Sequence, residues 1–171
     1  MIHPLEVIKP KEKVKFRAIT YQLPNGKRVA TFKGSDSSLL SWEENCQMLL
    51  KKPLPAVLSA EEYLKETMGQ SDNDYYISGY SKGGHIASAD VSKQILAVYS
   101  YDGPGISHIE ELNELDKIVG FERHKFIPQE SYIGTLFEEA ENVQVVESTA
   151  SGLDQHTPHS WILQNDHLVR V

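Results

Sequence analysis

A serine flanked by glycines is the feature of this chain with the clearest chemical use. Residues 79–83 read GYSKG and fit the pattern G-x-S-x-G. In that pattern a nucleophilic serine stands on a strained turn between a strand and a helix, and the glycines let neighbouring backbones come close. The flanking sequence predicts that context, a short strand over 74–80 followed by a helix. A glycine-rich turn with an idle serine is the alternative, and the context favours Ser81 as a nucleophile with Gly79 and Gly83 as its elbow glycines.

A nucleophilic serine requires a base, because its hydroxyl is a weak nucleophile at neutral pH. On such an elbow the acid and then the histidine follow the serine along the chain. Residues 152–161, GLDQHTPHSW, come after the last predicted strand and look like a loop that can fold back over the strand ends. His156 is the predicted base, and His159 is the alternative.

The third member of such a triad is an acid that orients the histidine. Asp102 directly follows an apolar run, residues 95–101, and precedes Gly-Pro-Gly. Sites in open α/β sheets collect at the carboxyl ends of the strands, which favours Asp102. An aspartate before Gly-Pro can also simply cap the turn. Glu130, just after the next predicted strand, is the alternative acid.

Acyl transfer also requires hydrogen-bond donors where the carbonyl oxygen becomes negative. One expected donor is the backbone N–H of Lys82, the residue after the nucleophile. The second is expected from the loop after the strand that ends near Phe32, where Gly34 frees the backbone and Ser35 offers an N–H and a hydroxyl. Ser35 could instead be the N-cap of the following helix.

Strands and helices alternate along the rest of the chain. Two strands around Asn25-Gly26 predict an antiparallel hairpin, and a strand, helix and strand over 74–101 predict a βαβ unit. Leu39, Trp42 and Cys46 recur at helical spacing. Leu39, Leu40 and Trp42 are expected to face the core, with an acyl pocket as the alternative. The predicted strands are 16–23, 27–32, 74–80, 95–101, 125–128 and 142–148, and the predicted helices are 35–50, 59–69 (from a capping box at Ser59), 82–96, 108–118 and 131–140. This order predicts an α/β sandwich with a mostly parallel sheet and helices on both faces.

Composition excludes several classes of function. The 171 residues are expected to form one domain over 1–171, and the net charge of -7 gives no attraction to nucleic acid or anionic lipid. No apolar stretch predicts membrane insertion, and the single cysteine with no secretory signal points to the cytoplasm. No phosphate-binding loop, dinucleotide fingerprint or zinc motif occurs, so no cofactor and no metal are expected.

Five segments together resemble a bacterial lipase-like α/β-hydrolase family of unassigned substrate, distantly similar to the class 3 triacylglycerol lipases. They are VATFKGSD, YYISGYSKGGHIA, VYSYDGPGI, KFIPQESYIGTLFE and QHTPHSW. The resemblance implies an α/β-hydrolase fold with Ser81 as nucleophile, His156 as base, and Ser35 and Lys82 at the oxyanion site. Class 3 lipases take their acid from the loop after the strand matching KFIP, where this chain has no aspartate, so Asp102 is the substitute.

The resemblance also implies that relatives begin earlier, so this chain is expected to be shortened at its N-terminus. A missing sheet edge would favour a homodimer, because unpaired strands invite pairing. The function expected from the sequence is a serine hydrolase, esterase- or lipase-like, acting on a small acyl ester. A non-catalytic binding or interaction module of the same fold is the alternative. Acyl-chain length, and ester against thioester or amide, are left open.

Overall fold

The computed structural model describes residues 2–9, 14–36, 38–68, 75–89, 95–110, 122–137 and 142–171. Seven strands form one sheet in the order in which they occur along the chain: β1 Ile2–Lys9, β2 Val14–Gln22, β3 Arg28–Phe32, β4 Tyr75–Tyr80, β5 Ile95–Tyr101, β6 Glu122–Pro128 and β7 Val143–Val146. The α-helices are α1 Leu39–Gln47, α2 Pro55–Met68 and α3 Lys82–Ala89. The first three strands pair antiparallel and the strands from β3 to β7 pair parallel. The fold is therefore mixed α/β with a mostly parallel sheet, as predicted.

The predicted N-terminal hairpin is confirmed. Strands β2 and β3 are joined through Asn25-Gly26, where Gly26 takes a φ of 82° and its N–H donates to the carbonyl of Leu23 at 2.9 Å. Glycine reaches that left-handed conformation at no steric cost, which is why Asn-Gly favours tight hairpins. Strand β1, which pairs with β2, was not predicted.

The core lies on one face of the sheet. Alternate strand residues such as Phe16, Ala30 and Ile77 pack there against the apolar sides of α2 and α3, including Ala60 and Ile86. The crossovers from β3 to β4 and from β4 to β5 advance in the same direction across the sheet, and right-handed crossovers of that kind place their helices on the same side. The expected helices on both faces are not confirmed: the α-helices of the described residues lie on one face, and most of the helix predicted over 108–118 lies outside those residues.

Helix α1 is oriented opposite to the prediction. Leu39 is 78% exposed and Trp42 62% exposed, and Cys46 is exposed too, whereas Ser41 and Glu44 are 1% and 0% exposed. The spacing rule places apolar side chains inward, but in α1 the buried face is the polar one, on which Glu44 pairs with the Lys82 ammonium.

Other element boundaries differ from the predictions. Helix α2 begins at Pro55, so Ser59 is a buried helical residue and not the N-cap. Residues 131–137 form turns where a helix was predicted, whereas the last two predicted strands are present as β6 and β7. Most of the helix predicted over 108–118, and the continuation of α3 over 90–94, lie outside the described residues.

Three short structures follow β7 and were not predicted. Two 3₁₀ helices, Gly152–His156 and Pro158–Ser160, precede a small two-stranded sheet of β8 Leu163–Gln164 and β9 His167–Leu168. The segment 147–161, here called the histidine loop, carries His156. None of the described helices has the length and apolar character needed to cross a bilayer.

Candidate active site

Strand register places two of the predicted residues side by side. Tyr80 at the end of β4 pairs with Tyr101 at the end of β5, so Ser81 and Asp102 both begin the turns that follow. Parallel neighbours end at the same edge of a sheet, and sites in α/β folds form at this edge. The nucleophile and acid candidates are thus neighbours because of the strand pairing itself.

The turn at Ser81 is a strained, closely packed elbow. Ser81 has a φ of 56°, a conformation that costs a non-glycine residue about 1–2 kcal/mol. Its N–H donates to the carbonyl oxygen of Tyr101 at 3.0 Å, which holds the turn against β5. A Cβ atom at Gly79 would lie 2.1 Å from the carbonyl oxygen of Gly83, and one at Gly83 would lie 2.2 Å from that of Phe32. Both elbow positions therefore require glycine.

Asp102 is buried and held by several hydrogen bonds. It has a φ of 47°, its N–H donates to the carbonyl of Phe126 at 2.8 Å, and it is 1% exposed. Its Oδ1 accepts hydrogen bonds from the Ser131 hydroxyl and, at 3.1 Å, from the Gly134 N–H. Its Oδ2 lies 2.7 Å from Nδ1 of His156. The carboxylate is therefore oriented, with one oxygen anchored and the other on the imidazole.

His156 bridges the acid and the serine. Its Nε2 lies 3.0 Å from Oγ of Ser81, and its Nδ1 faces Asp102. A carboxylate accepts only, so the neutral ring carries its proton on Nδ1 and presents the Nε2 lone pair to the serine hydroxyl. The arrangement can move a proton from Ser81 to His156 while Asp102 stabilises the resulting imidazolium.

The histidine loop is anchored by Gln155 and Glu130. Buried Gln155 accepts the N–H of Glu130 at 2.9 Å through Oε1 and donates to the carbonyl of Ala150 at 2.9 Å through Nε2, while the Trp161 indole donates to the Gln155 carbonyl at 2.8 Å. The Glu130 carboxylate accepts the N–H of Gly152. These bonds fix the backbone on both sides of His156.

The two alternative residues occupy other places. Glu130 is exposed and bonds the loop backbone, and His159 is exposed in the second 3₁₀ helix. The structure brings Ser81, His156 and Asp102 together and leaves Glu130 and His159 out of that chain of hydrogen bonds.

Tyr80 is a site residue that the sequence reasoning missed. Its hydroxyl donates to the backbone carbonyl of His156 at 2.6 Å, and its ring centroid lies 4.9 Å from that of the imidazole. Burial, and then the nearby Asp102 carboxylate, raise the pKa of Tyr80 to about 12, so its phenol stays protonated and keeps donating. Its place inside the G-x-S-x-G pattern, where any residue is allowed, gave no signal of this role.

The predicted oxyanion residues lie on either side of the elbow. Lys82 is the first residue of α3, so its N–H has no acceptor within the helix. The backbone at Gly34 lies against the elbow, since a Cβ atom there would be 3.1 Å from Cβ of Ser81. The Ser35 hydroxyl donates to Oδ1 of Asn45 at 2.6 Å, which leaves its backbone N–H as the candidate donor. Ser38 and not Ser35 caps α1.

Two hollows adjoin the site, and Tyr80 and Tyr101 line both. One, of about 810 Å³, is also lined by Phe126, Trp161 and Leu163. The other, of about 690 Å³, is also lined by residues of β2, β3 and the loop after β3, namely Arg17, Ala18, Ile19, Thr31, Phe32, Lys33 and Gly34. Both volumes fall in the range of small-molecule sites, and the aromatic lining suits an apolar ligand.

Within the part of the chain that the structure describes, no three histidine, cysteine, aspartate or glutamate side chains are grouped so as to hold a metal ion. No curated protein and no solved structure matches the chain significantly. The family described as Mbeg1-like matches residues 1–171, so the chain belongs to the Mbeg1-like family.

Proposed function

We propose that this protein is a serine hydrolase that cleaves an acyl ester through Ser81, His156 and Asp102. The observation that carries the proposal is the continuous hydrogen-bonded chain from the Asp102 carboxylate through both ring nitrogens of His156 to the Ser81 hydroxyl. A buried carboxylate, an imidazole and a hydroxyl in that order are the parts of a catalytic triad. The strained elbow and the resemblance of the motifs to lipase-like hydrolases support the same reading.

The reaction follows from these positions. His156 Nε2 takes the Ser81 proton as Oγ attacks the acyl carbonyl carbon, and the backbone N–H groups of Lys82 and Ser35 donate to the developing oxyanion. His156 then gives the proton to the departing alcohol, which leaves an acyl group on Ser81. Water, deprotonated by His156, attacks that acyl-enzyme, and His156 returns the proton to Oγ of Ser81 as the carboxylic acid leaves. Asp102 holds the imidazole in the productive tautomer throughout.

The hollows beside Tyr80 indicate where the ester would bind. An apolar acyl chain would occupy one hollow while the alcohol portion extends toward the other, with the carbonyl over the elbow. Short and medium p-nitrophenyl esters are suitable first substrates because the volumes accommodate both parts.

The test is labelling with a fluorophosphonate together with hydrolysis of those esters. Labelling of the wild type that disappears in Ser81→Ala, with hydrolysis lost at least 10³-fold, is the expected result. A folded protein that neither labels nor hydrolyses any ester would contradict the proposal and favour the non-catalytic binding module.

The identity of the acid is tested by a matched pair of amide substitutions. Asp102→Asn removes the charge beside Nδ1 and is expected to lower kcat by about 10³–10⁴-fold. Glu130→Gln leaves the triad intact and is expected to retain kcat within about tenfold, since it alters only the anchoring of the loop. The reverse pattern would assign the acid to Glu130.

A further inference from the structure

The polar side of helix α1 faces inward, with Ser41 and Glu44 buried and Asn45 partly buried, and this side contacts both proposed oxyanion residues. Ser41, Glu44 and Asn45 are spaced i, i+3 and i+4, so they share one face of the helix. Glu44 binds the Lys82 ammonium, and Asn45 accepts the hydroxyl hydrogen of Ser35. One short helix therefore contacts each of the two donors through its own side chains.

The Glu44–Lys82 pair is fully buried and fully bonded. The side chain of Lys82 is 2% exposed and that of Glu44 0% exposed. Besides Glu44, the ammonium donates to the carbonyl of Lys15 at 3.1 Å and lies 3.5 Å from Oγ of Ser41. The other oxygen of Glu44 accepts the N–H of Lys15 at 2.9 Å. The lysine is therefore held at its Nζ end by β2 and α1 and at its backbone end by the elbow.

The same helix also holds the loop that carries Ser35. Oγ of Ser41 accepts the N–H of Asp36 at 3.1 Å, next to the bond between Ser35 and Asn45. The loop backbone at Gly34 meets the elbow, where a Cβ atom would lie 2.7 Å from the carbonyl oxygen of Tyr80. Helix α1 thus spans from the loop after β3 to the first residue of α3.

Stability alone does not account for this buried charge. Replacing a buried ion pair by apolar residues of similar volume is often neutral or stabilising, because desolvation of the two charges offsets their attraction. A hydrogen-bonded pair does, however, fix a geometry that apolar contacts leave looser. The apolar residues of α1 that could have filled this space, Leu39 and Trp42, point outward instead.

We propose that α1 fixes the two oxyanion donors relative to each other and that Glu44 is its main positioning residue. This inference rests on the proposed function, since an oxyanion site has a use only if Ser81 attacks a carbonyl. Glu44 touches no reacting atom. It acts through Lys82, whose backbone N–H must lie within hydrogen-bond reach of the oxyanion, while Asn45 acts in the same way through Ser35.

The first experiment compares Glu44→Gln with Glu43→Gln, the same chemical change one residue away on the partly exposed side of α1. Glu44→Gln is expected to lower kcat by about 10–100-fold with KM changed less than about threefold, because the interaction acts in the transition state. Glu43→Gln is expected to keep wild-type kcat. In Glu44→Gln, backbone amide exchange should rise at Asp36, whose N–H donates to Oγ of Ser41 on α1, and stay unchanged in strands β4 and β5.

The second experiment separates positioning from stability. The double variant Glu44→Leu/Lys82→Met replaces the ion pair by apolar side chains and is expected to keep or raise the melting temperature while kcat stays at least tenfold low. For the other donor, Asn45→Asp preserves an acceptor for Ser35 and should keep kcat within about threefold, whereas Asn45→Leu should lower it about fivefold or more.

The outcomes decide both ideas separately. Wild-type kcat in a folded Glu44→Gln, or in the folded apolar double variant, would overturn the positioning role while leaving the hydrolase intact. If Glu44→Gln does not fold, the positioning role is tested by the double variant Glu44→Leu/Lys82→Met and by the comparison of Asn45→Asp with Asn45→Leu. A wild-type protein that neither reacts with the fluorophosphonate nor hydrolyses the esters overturns the proposed function and the positioning role with it. That outcome is measured on the wild type and does not depend on any variant.

Discussion

The two halves of the candidate site are held in different ways. Ser81 and Asp102 follow paired residues of β4 and β5, and each has a positive φ set by backbone hydrogen bonds to the neighbouring strand. His156 lies in a loop without long strands or α-helices, 54 residues after Asp102 along the chain. It is held in place by hydrogen bonds between the Gln155 side chain and backbone groups. Ser81 and Asp102, here called the strand half, are built into the sheet. His156 and its loop, here called the loop half, are attached to the sheet.

This difference assigns different tasks to the two halves. Strained backbone persists only where surrounding structure over-determines it, so the positions of Ser81 and Asp102 depend on the fold as a whole. In the proposed mechanism the imidazole accepts and releases a proton and reorients slightly between its partners, and a hydrogen-bonded loop permits that. Changes to the backbone that supports Ser81 and Asp102 should therefore cost mainly stability, and changes to the side chains that anchor the loop should cost mainly rate.

The largest difference is expected from the same substitution placed in each half. Gly83→Ala brings a Cβ atom within 2.2 Å of a backbone carbonyl that cannot move aside, and more than about 4 kcal/mol of unfolding free energy should be lost. Gly152→Ala, at a φ of 56° with nothing within 4 Å of the new atom, should cost about 1–2 kcal/mol. Urea denaturation of both variants measures this, and equal losses would contradict the close-packed elbow.

The stability of the strand half should also depend on pH through His85. This residue lies in α3 behind the elbow, is 0% exposed, and its Nδ1 faces the carbonyl of Gly105 at 3.0 Å. Burial lowers the pKa of His85 from 6.5 to about 4. The unfolded chain therefore binds a proton between those values while the folded protein does not, and stability falls as the pH drops from about 6.5 to 4, by about 3 kcal/mol in the limit.

Unfolding free energies measured at pH 7 and pH 4.5 test this contribution. The drop between the two pH values should be smaller in His85→Gln than in the wild type, whatever the absolute stability of the variant. His167→Gln, an exposed histidine in β9, should show the wild-type drop. An undiminished drop in His85→Gln would mean that this imidazole is not what titrates.

The loop half should lose catalytic rate when the Gln155 side chain that anchors it is removed. Gln155→Ala removes side-chain bonds to Glu130 and Ala150, so the loop backbone beside His156 loses its support. A displacement near 1 Å at the imidazole can lower the rate by about 10²-fold, while the loss in unfolding free energy should be only about 1–2 kcal/mol. Gln164→Ala in exposed β8 is the control, and a Gln155→Ala enzyme with full kcat would show that the loop needs no anchor there.

The same contrast explains which parts of the site could be predicted from sequence. The elbow, the strand over 95–101 and Asp102 after it are local patterns whose meaning depends on adjacent residues, and β5 has the predicted limits. The orientation of α1 could not be read in this way, because the partner that draws Glu44 inward is 38 residues away. Apolar periodicity considers each side chain by itself, so it cannot detect two opposite charges that become buried because they pair with each other.

The anchoring of the histidine loop could not be predicted from the sequence for a related reason. Gln155 and Tyr80 are polar residues with no motif of their own, and each acquires its role from a backbone group brought close by folding. The expected helices on the second face are not confirmed in the described residues. The face that a crossover helix covers depends on strand order, which the order of elements along the chain does not reveal.

The smallest effect is expected where the two halves touch directly. Tyr80 belongs to β4, yet its hydroxyl donates to the backbone of His156. Tyr80→Phe keeps the ring against the imidazole and removes one hydrogen bond, which is worth about 0.5–1.5 kcal/mol and should lower kcat a few-fold. Because burial raises the pKa of the Tyr80 phenol to about 12, the ratio of wild-type to variant kcat should stay constant from pH 6 to 10.

Tyr76→Phe is the matched control, since Tyr76 lies on the same face of β4 and its ring packs against Tyr99. Its kcat should equal that of the wild type. A ratio for Tyr80→Phe that changes with pH in this range would mean that the hydroxyl titrates with the imidazole and takes part in proton transfer. A constant ratio would place Tyr80 with the anchors, as a strand residue whose hydroxyl positions the loop backbone.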